Sequence, residues 1–231
     1  MPTKRIVLRR KLEEPKRKPY RVTLPENTEL SLRDLYVFPR AYEQCYSFVY
    51  CFDTTLEARD SERIDEAIAS YPWKGGYSYV NIYSVLYSQI PSKSRPKIQS
   101  IHKASPGWID LVLNLEAAVT LAKSIATIAG SMALTAAAYT KAMKLIAQIS
   151  ANRQAARLRE MQLTQQQIKA VRGCCDELAK AMGFKSLNEL HQRTGNPEVS
   201  LKLMGAHYRR MKILLNFSQK QKAILPTEID G

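Results

Sequence analysis

The chain has 231 residues, enough to bury a core of its own without a disulfide or metal staple. An apolar share of 45% and a charged share of 24% exclude a chain disordered throughout, and four cysteines exclude a dense disulfide scaffold. Charge is the departure from average: 35 lysines and arginines against 21 aspartates and glutamates leave +14.

That excess is local. Residues 1–23 carry nine basic and two acidic side chains, whereas residues 24–72 carry four and ten. The bias returns late, with seven basic and one acidic over 141–172, and six and one over 196–222. Such clustering points to a polyanion: nucleic acid, an anionic membrane surface or an acidic protein.

In chain order, Ile6-Val-Leu reads as a short strand, and residues 9–19 are too charged and proline-punctuated to pack, so residues 1–19 form a basic arm. Tyr20 to Leu24 alternates as a strand does. Ser31 with Asp34 three residues on is a capping arrangement. The helix it opens carries Leu32, Leu35, Phe38, Tyr42, Cys45, Val49 and Phe52 at spacings of three and four, with Pro39 expected to start or kink its regular part. A polar helix follows near 61–69, then a turn at Pro72-Trp-Lys-Gly-Gly. Tyr77 to Leu86 fits strand or helix. The carboxylates of 53–66 read as a solvated acidic surface or a docking place for the basic arm.

Lys97 to Ala104 reads as a strand, and Ser105-Pro106-Gly107 as a helix start, with serine as the cap and proline at the first helical position. From Trp108 to about Met182 there is no proline, which predicts one very long helix or two stacked long ones. Gly183 is a stop, Ser186 with Glu189 a further capping box, and Asn196-Pro197-Glu198 opens a last helix to about Phe217. The expected architecture is an α+β head followed by a long-helix, coiled-coil-like tail, mostly α overall. Its parts are the basic arm 1–19, a small α+β domain 20–107, a helical domain 108–217 and a tail 218–231.

The capped helix at Ser31-Leu-Arg-Asp-Leu35 and the apolar strand running into Ser-Pro-Gly over Ile98 to Gly107 resemble a loose group of small bacterial proteins. The resemblance covers roughly residues 20–120. It implies a strand and long-helix junction, and neither an activity nor site residues.

Ser124 to Thr140 carries no charge. A spanning helix needs about 20 apolar residues, so the preferred reading is a buried bundle helix in which Ala126, Gly130, Ala133 and Ala137 let a neighbour approach closely. In the alternative, a membrane-inserting effector or toxin, residues 108–140 enter lipid. Met161, Ile168, Cys175 and Met182 recur at seven with Val171 and Leu178 between them, a short coiled-coil seam. An intramolecular hairpin is the preferred reading over a homo-oligomer.

For catalysis a nucleophile needs a base within reach and a group to orient it. His102, His191 and His207 lie in no such local signature, and Cys45 and Cys51 read as buried apolar groups. Cys174 and Cys175 are adjacent on a helix and point about 100° apart, which disfavours one zinc ion. No cofactor or metal is expected, and an unrecognised enzyme assembled from distant residues is a further alternative.

The expected function is a non-enzymatic interaction or scaffold module, accessory to a bacterial multi-component, defence-like system and resident in the cytoplasm. It would hold nucleic acid or an anionic membrane through Arg9, Arg10, Lys11, Lys16, Arg17, Lys18, Arg153, Arg157, Arg209, Arg210 and Lys212. The C-terminal helices would take a protein partner or a second copy.

Overall fold

The computed structural model describes residues 18–26, 29–53, 55–73, 75–155, 162–184 and 188–228. Among them are three strands and eight helices, in the order β1 (Tyr20–Leu24), α1 (Leu32–Asp53), α2 (Ala58–Ala69), α3 (Gly75–Gln89), β2 (Lys97–His102), β3 (Gly107–Val112), α4 (Leu115–Gly130), α5 (Met132–Ala155), α6 (Gln165–Ala181), α7 (Asn188–Thr194) and α8 (Pro197–Gln219). The protein is mostly helical, with one small antiparallel sheet ordered β1-β3-β2. The basic arm, apart from Lys18 and Pro19, lies outside the described residues, as do Arg157, Met161 and Ser186.

Helix α1 is capped as its sequence predicts. Ser31 Oγ accepts the Asp34 amide at 3.1 Å, and Asp34 Oδ2 accepts the Ser31 amide at 2.9 Å. Pro39 lies inside the helix, which continues through it. From Phe38 onward its apolar stripe packs on α3, α4 and α8, whereas Leu32 and Leu35, expected in the same stripe, lie exposed in its first turn. Tyr46, fully buried, donates to the Ser94 carbonyl at 2.5 Å and accepts the Asn114 amide at 2.9 Å, so α1 holds the loop before β2 and the start of α4. Residues 77–86, whose sequence fits strand or helix, lie within helix α3.

Two expectations are corrected. Ser105-Pro106-Gly107 does not start a helix: its Ser105–Pro106 bond is cis, and the segment turns β2 into the central strand β3. Trp108-Ile-Asp-Leu-Val112 is rich in aromatic and β-branched residues and mostly buried, which suits a strand with a neighbour on each side. Gly107 is needed at this turn, because a Cβ there would stand 2.7 Å from the His102 carbonyl oxygen. The helix begins instead after Asn114, whose side chain accepts the Ala117 amide at 3.0 Å.

Nor do residues 108–182 form one or two long helices. They hold a strand and helices α4, α5 and α6, with α4 and α5 bent by 95° at Ser131. Helix α6 ends as predicted at Gly183, whose φ is +82°. The Gly183 amide bonds the Lys180 carbonyl and the Phe184 amide the Ala179 carbonyl, the paired bonds of a Schellman cap.

The heptad residues Val171, Cys175, Leu178 and Met182 are buried, and α6 packs on α5 and α8 of the same chain. Helix α8 runs through the centre, and most of its surface is covered by α1, α4, α5 and α6. The proposed division at 107 falls where β3 begins, and one continuous core draws on residues from both sides of it. Beyond α8, Ile224 bridges to Thr23 on the outer side of β1.

Candidate polyanion-binding face

A basic side chain offered to a polyanion must not already be neutralised. Several candidates from the sequence are. Arg153 clamps Glu198 with two bonds, Nη1 to Oε1 at 3.0 Å and Nη2 to Oε2 at 2.6 Å, and Lys202 adds a third at 2.5 Å. Burial pushes the Glu198 carboxyl up, but these bonds outweigh it and hold the group below its usual range. Arg210 is also committed: its Nε donates to Gln44, its Nη1 to the Ala206 carbonyl, and its guanidinium lies 4.0 Å from the centre of the Tyr83 ring. Lys222 bonds Asp34 at 2.6 Å and, with Ser31, draws that carboxyl down to about 2. Arg153 is thus paired with a carboxylate inside the fold, whereas Arg210 is half-buried and held by neutral partners.

The carboxylates near 53–66 are partly spent as well. Asp65 pairs with Arg193 at 2.7 Å, and Asp60 with Arg63 at 3.0 Å. Arg193 also donates to the Cys51 carbonyl, so α7 is tied to α1 and α2.

What stays open is the outer stripe of α8. Arg209, Lys212, Asn216, Gln219 and Lys220 recur at spacings that share one exposed face. Glu198, the one carboxylate on α8, lies at the other end of the helix and is buried. Arg209 donates to the Tyr139 hydroxyl at 3.1 Å, a neutral contact that leaves its charge available. Lys169 and Arg172 on α6 and Lys144 on α5 are exposed too. Of the eleven predicted residues, Arg209 and Lys212 are exposed on α8, and Lys220, also basic in the sequence, is exposed at its C-cap. Arg9, Arg10, Lys11, Lys16, Arg17 and Arg157 lie outside the described residues, and Lys18 is exposed.

The small residues behave differently from a packing motif. Ala126, Gly130, Ala133 and Ala137 are all on the surface, and a Cβ built on Gly130 meets nothing within 4 Å. The expectation that this stretch is bundle core is corrected for these four positions. The residues that pack are their neighbours on the other face, Ile125, Ile128, Thr135 and Ala138. Beside the four lie Met132 and Leu134, the latter 72% exposed. Among the described residues no helix is long and apolar enough to cross a membrane.

The groups with chemical potential are scattered. All four cysteines are buried without a disulfide, and burial pushes the Cys51 and Cys175 thiols up to about 12. His207 is fully buried against Phe48, ring centres 3.8 Å apart, and burial holds its imidazole down to about 3. Among the described residues no three histidines, cysteines or carboxylates gather to hold a metal ion.

No family model matches the chain, and no curated protein or solved structure shows detectable similarity to it. Function is therefore read from the geometry.

Proposed function

We propose that this chain is a non-enzymatic interaction module of a reducing compartment that holds a polyanion on the outer stripe of α8, assisted by the basic residues before β1. One observation carries the reading: Arg209, Lys212 and Lys220 share an exposed helical face that offers no carboxylate, while Arg153, Arg193 and Lys222 are neutralised inside the fold. Three cations on a rigid helix attract phosphate without selecting a base sequence, so nucleic acid and anionic lipid are both ligands of this chemistry. A place in a bacterial multi-component assembly, with further contacts through the C-terminal helices, belongs to the same reading.

Filter binding to a duplex DNA and sedimentation with phosphatidylserine vesicles test it, each at 50 and 200 mM salt. Three neutralised phosphates correspond to a logarithmic salt slope of about −2.7 on duplex DNA. The triple variant Arg209→Glu, Lys212→Glu, Lys220→Glu is expected to lose most of the affinity, and removal of residues 1–17 to weaken it further. Equal binding by the triple variant, or no binding at low salt, rejects the reading.

A second reading rests on Met132 and Leu134, exposed at the bend between α4 and α5 beside Ala126, Gly130 and Ala133. In it this apolar corner enters the lipid interface. Residues 108–112 form the central strand, so entry would begin at α4 rather than at Trp108. Leu134→Asp would then abolish vesicle binding while sparing DNA binding.

A further inference from the structure

We propose that the outer edge of β2 is a docking site for an extended, acid-flanked apolar peptide of a partner protein, which would add to the sheet as a fourth strand. The two edges of the sheet are treated differently. Ile224 bridges to Thr23 on the outer side of β1, whereas among the described residues no backbone hydrogen bond reaches β2 from outside. An uncovered edge strand presents a row of amides and carbonyls that pair readily with another extended chain.

Beside that edge lies a place for side chains. Helix α1 crosses the face of the sheet and leaves a groove of about 330 Å³, walled by Phe38, Pro39 and Tyr42 on the helix and by Ile98, Ile109 and Leu111 on the sheet. Its volume is near the lower bound of about 300 Å³ for ligand pockets, a space suited to one or two side chains. A register shift between Ile98 and Ser100 sets the geometry. Ile98 stands opposite Leu111 and Ile101 opposite Ile109, so two isoleucines three residues apart both lie on the groove side. They are 54% and 58% exposed. Of the nine exposed large apolar side chains among the described residues, Ile98 lines the groove and Ile101 shares its strand face, while Leu32, Leu35 and Tyr36 stand on α1 ahead of the groove-lining Phe38, Pro39 and Tyr42.

Charge selects the occupant. Lys97 and Lys103 flank the edge at its two ends. In an antiparallel pairing of two copies centred on Ser100 each Lys97 would face a Lys103, a like-charge opposition that disfavours a second copy. A strand with carboxylates at its ends is favoured instead. Glu43 also lines the groove and disfavours a second carboxylate within it, so the acids of the occupant belong at the ends of the strand beside Lys97 and Lys103.

The probe is a fluorescein-labelled heptapeptide, glutamate-valine-threonine-valine-threonine-valine-glutamate, titrated against the full chain by fluorescence anisotropy. Saturable binding is expected, with hydrogen exchange slowed at the amides of 97–103. A copy N-methylated at its five central residues should bind at least tenfold more weakly, as should a lysine-flanked copy. The variant Ile98→Asp, Ile101→Asp changes only exposed side chains and should cost at least tenfold as well, with an unchanged circular dichroism spectrum. The triple α8 variant should bind the peptide as the unaltered chain does, which separates this site from the polyanion face. No saturable binding, equal affinity for the N-methylated copy, or loss of binding in the α8 variant would overturn the proposal.

Discussion

Glu198 is the side chain on which two cations converge. It is 7% exposed, and Arg153 and Lys202 both bond it. Removing its charge takes that anion from a largely buried guanidinium, which costs more than the pair itself contributes. Glu198→Gln is therefore expected to lower the unfolding free energy by roughly 1–3 kcal/mol, a figure reduced from that of a fully buried pair because Arg153 and Lys202 retain some solvent. Urea titration at pH 7 measures it, and a change below about 0.5 kcal/mol would show the pair to be surface-like. His207 gives a second prediction at this scale. In the unfolded chain its imidazole takes up a proton near pH 6.5, whereas in the fold it stays neutral to about 3. The unfolded state thus binds more protons as pH falls through 6.5, so stability is full above that value and declines below it. Between pH 7.5 and 5 the loss should approach about 2 kcal/mol, with half-buried His191 acting in the same direction. His207→Phe should flatten the profile. Glu198, Asp34 and Asp110, all held below their usual range, enter only below about pH 4.5, where their stabilisation is lost as they protonate.

At the scale of elements, two helix-end glycines make opposite predictions. Gly183 closes α6 at φ +82°, and a Cβ there would stand 3.0 Å from Thr127 Oγ1. Gly183→Ala should cost about 1–2 kcal/mol, because the left-handed conformation is strained for alanine and the neighbour must give. Gly130 ends α4 without a positive φ and with open space around it. Gly130→Ala should be neutral or stabilising by up to about 1 kcal/mol. Thermal unfolding of the two variants side by side checks both signs. The caps at Ser31, Gly183 and Asn196 were legible in the sequence because a cap is a local bond between residues two to five apart. The helix read at Ser105-Pro106 was not, since the same residues also suit a turn. The choice was made by β1, 83 residues earlier, which pairs with β3 along its whole length.

For the whole molecule, β1, α1 and β3 make the front and back of the chain one structure. A fragment of residues 20–107 keeps β1 and β2 but loses the strand that joins them, and it uncovers the faces of α1 that pack on α4 and α8. It is expected to show no cooperative unfolding transition in urea, whereas the full chain shows one; a cooperative fragment would establish an independent head. The candidate site was legible in the same partial way. The sequence located basic clusters on the late helices, Arg209 and Lys212 among them, but not which of them share an exposed face. Whether a cation is free or paired depends on carboxylates far away in the chain. Arg153 finds Glu198 45 residues later, and Lys222 finds Asp34 188 residues earlier. The groove beside β2 left no local signal, because its walls come from α1 and from two strands more than 50 residues further on.

Composition, periodicity and capping residues by themselves determined that this chain is basic and mostly helical, with a helix stop at Gly183 and a helix start at Asn196. These are properties of residues a few positions apart, where propensity and local hydrogen bonds decide. Tertiary structure alone decided that 107–112 is the centre of a sheet, that Ala126, Gly130, Ala133 and Ala137 face outward, and that Arg153 is paired with Glu198. Each of those outcomes is set by a partner distant in sequence, through burial and charge pairing that no local pattern encodes.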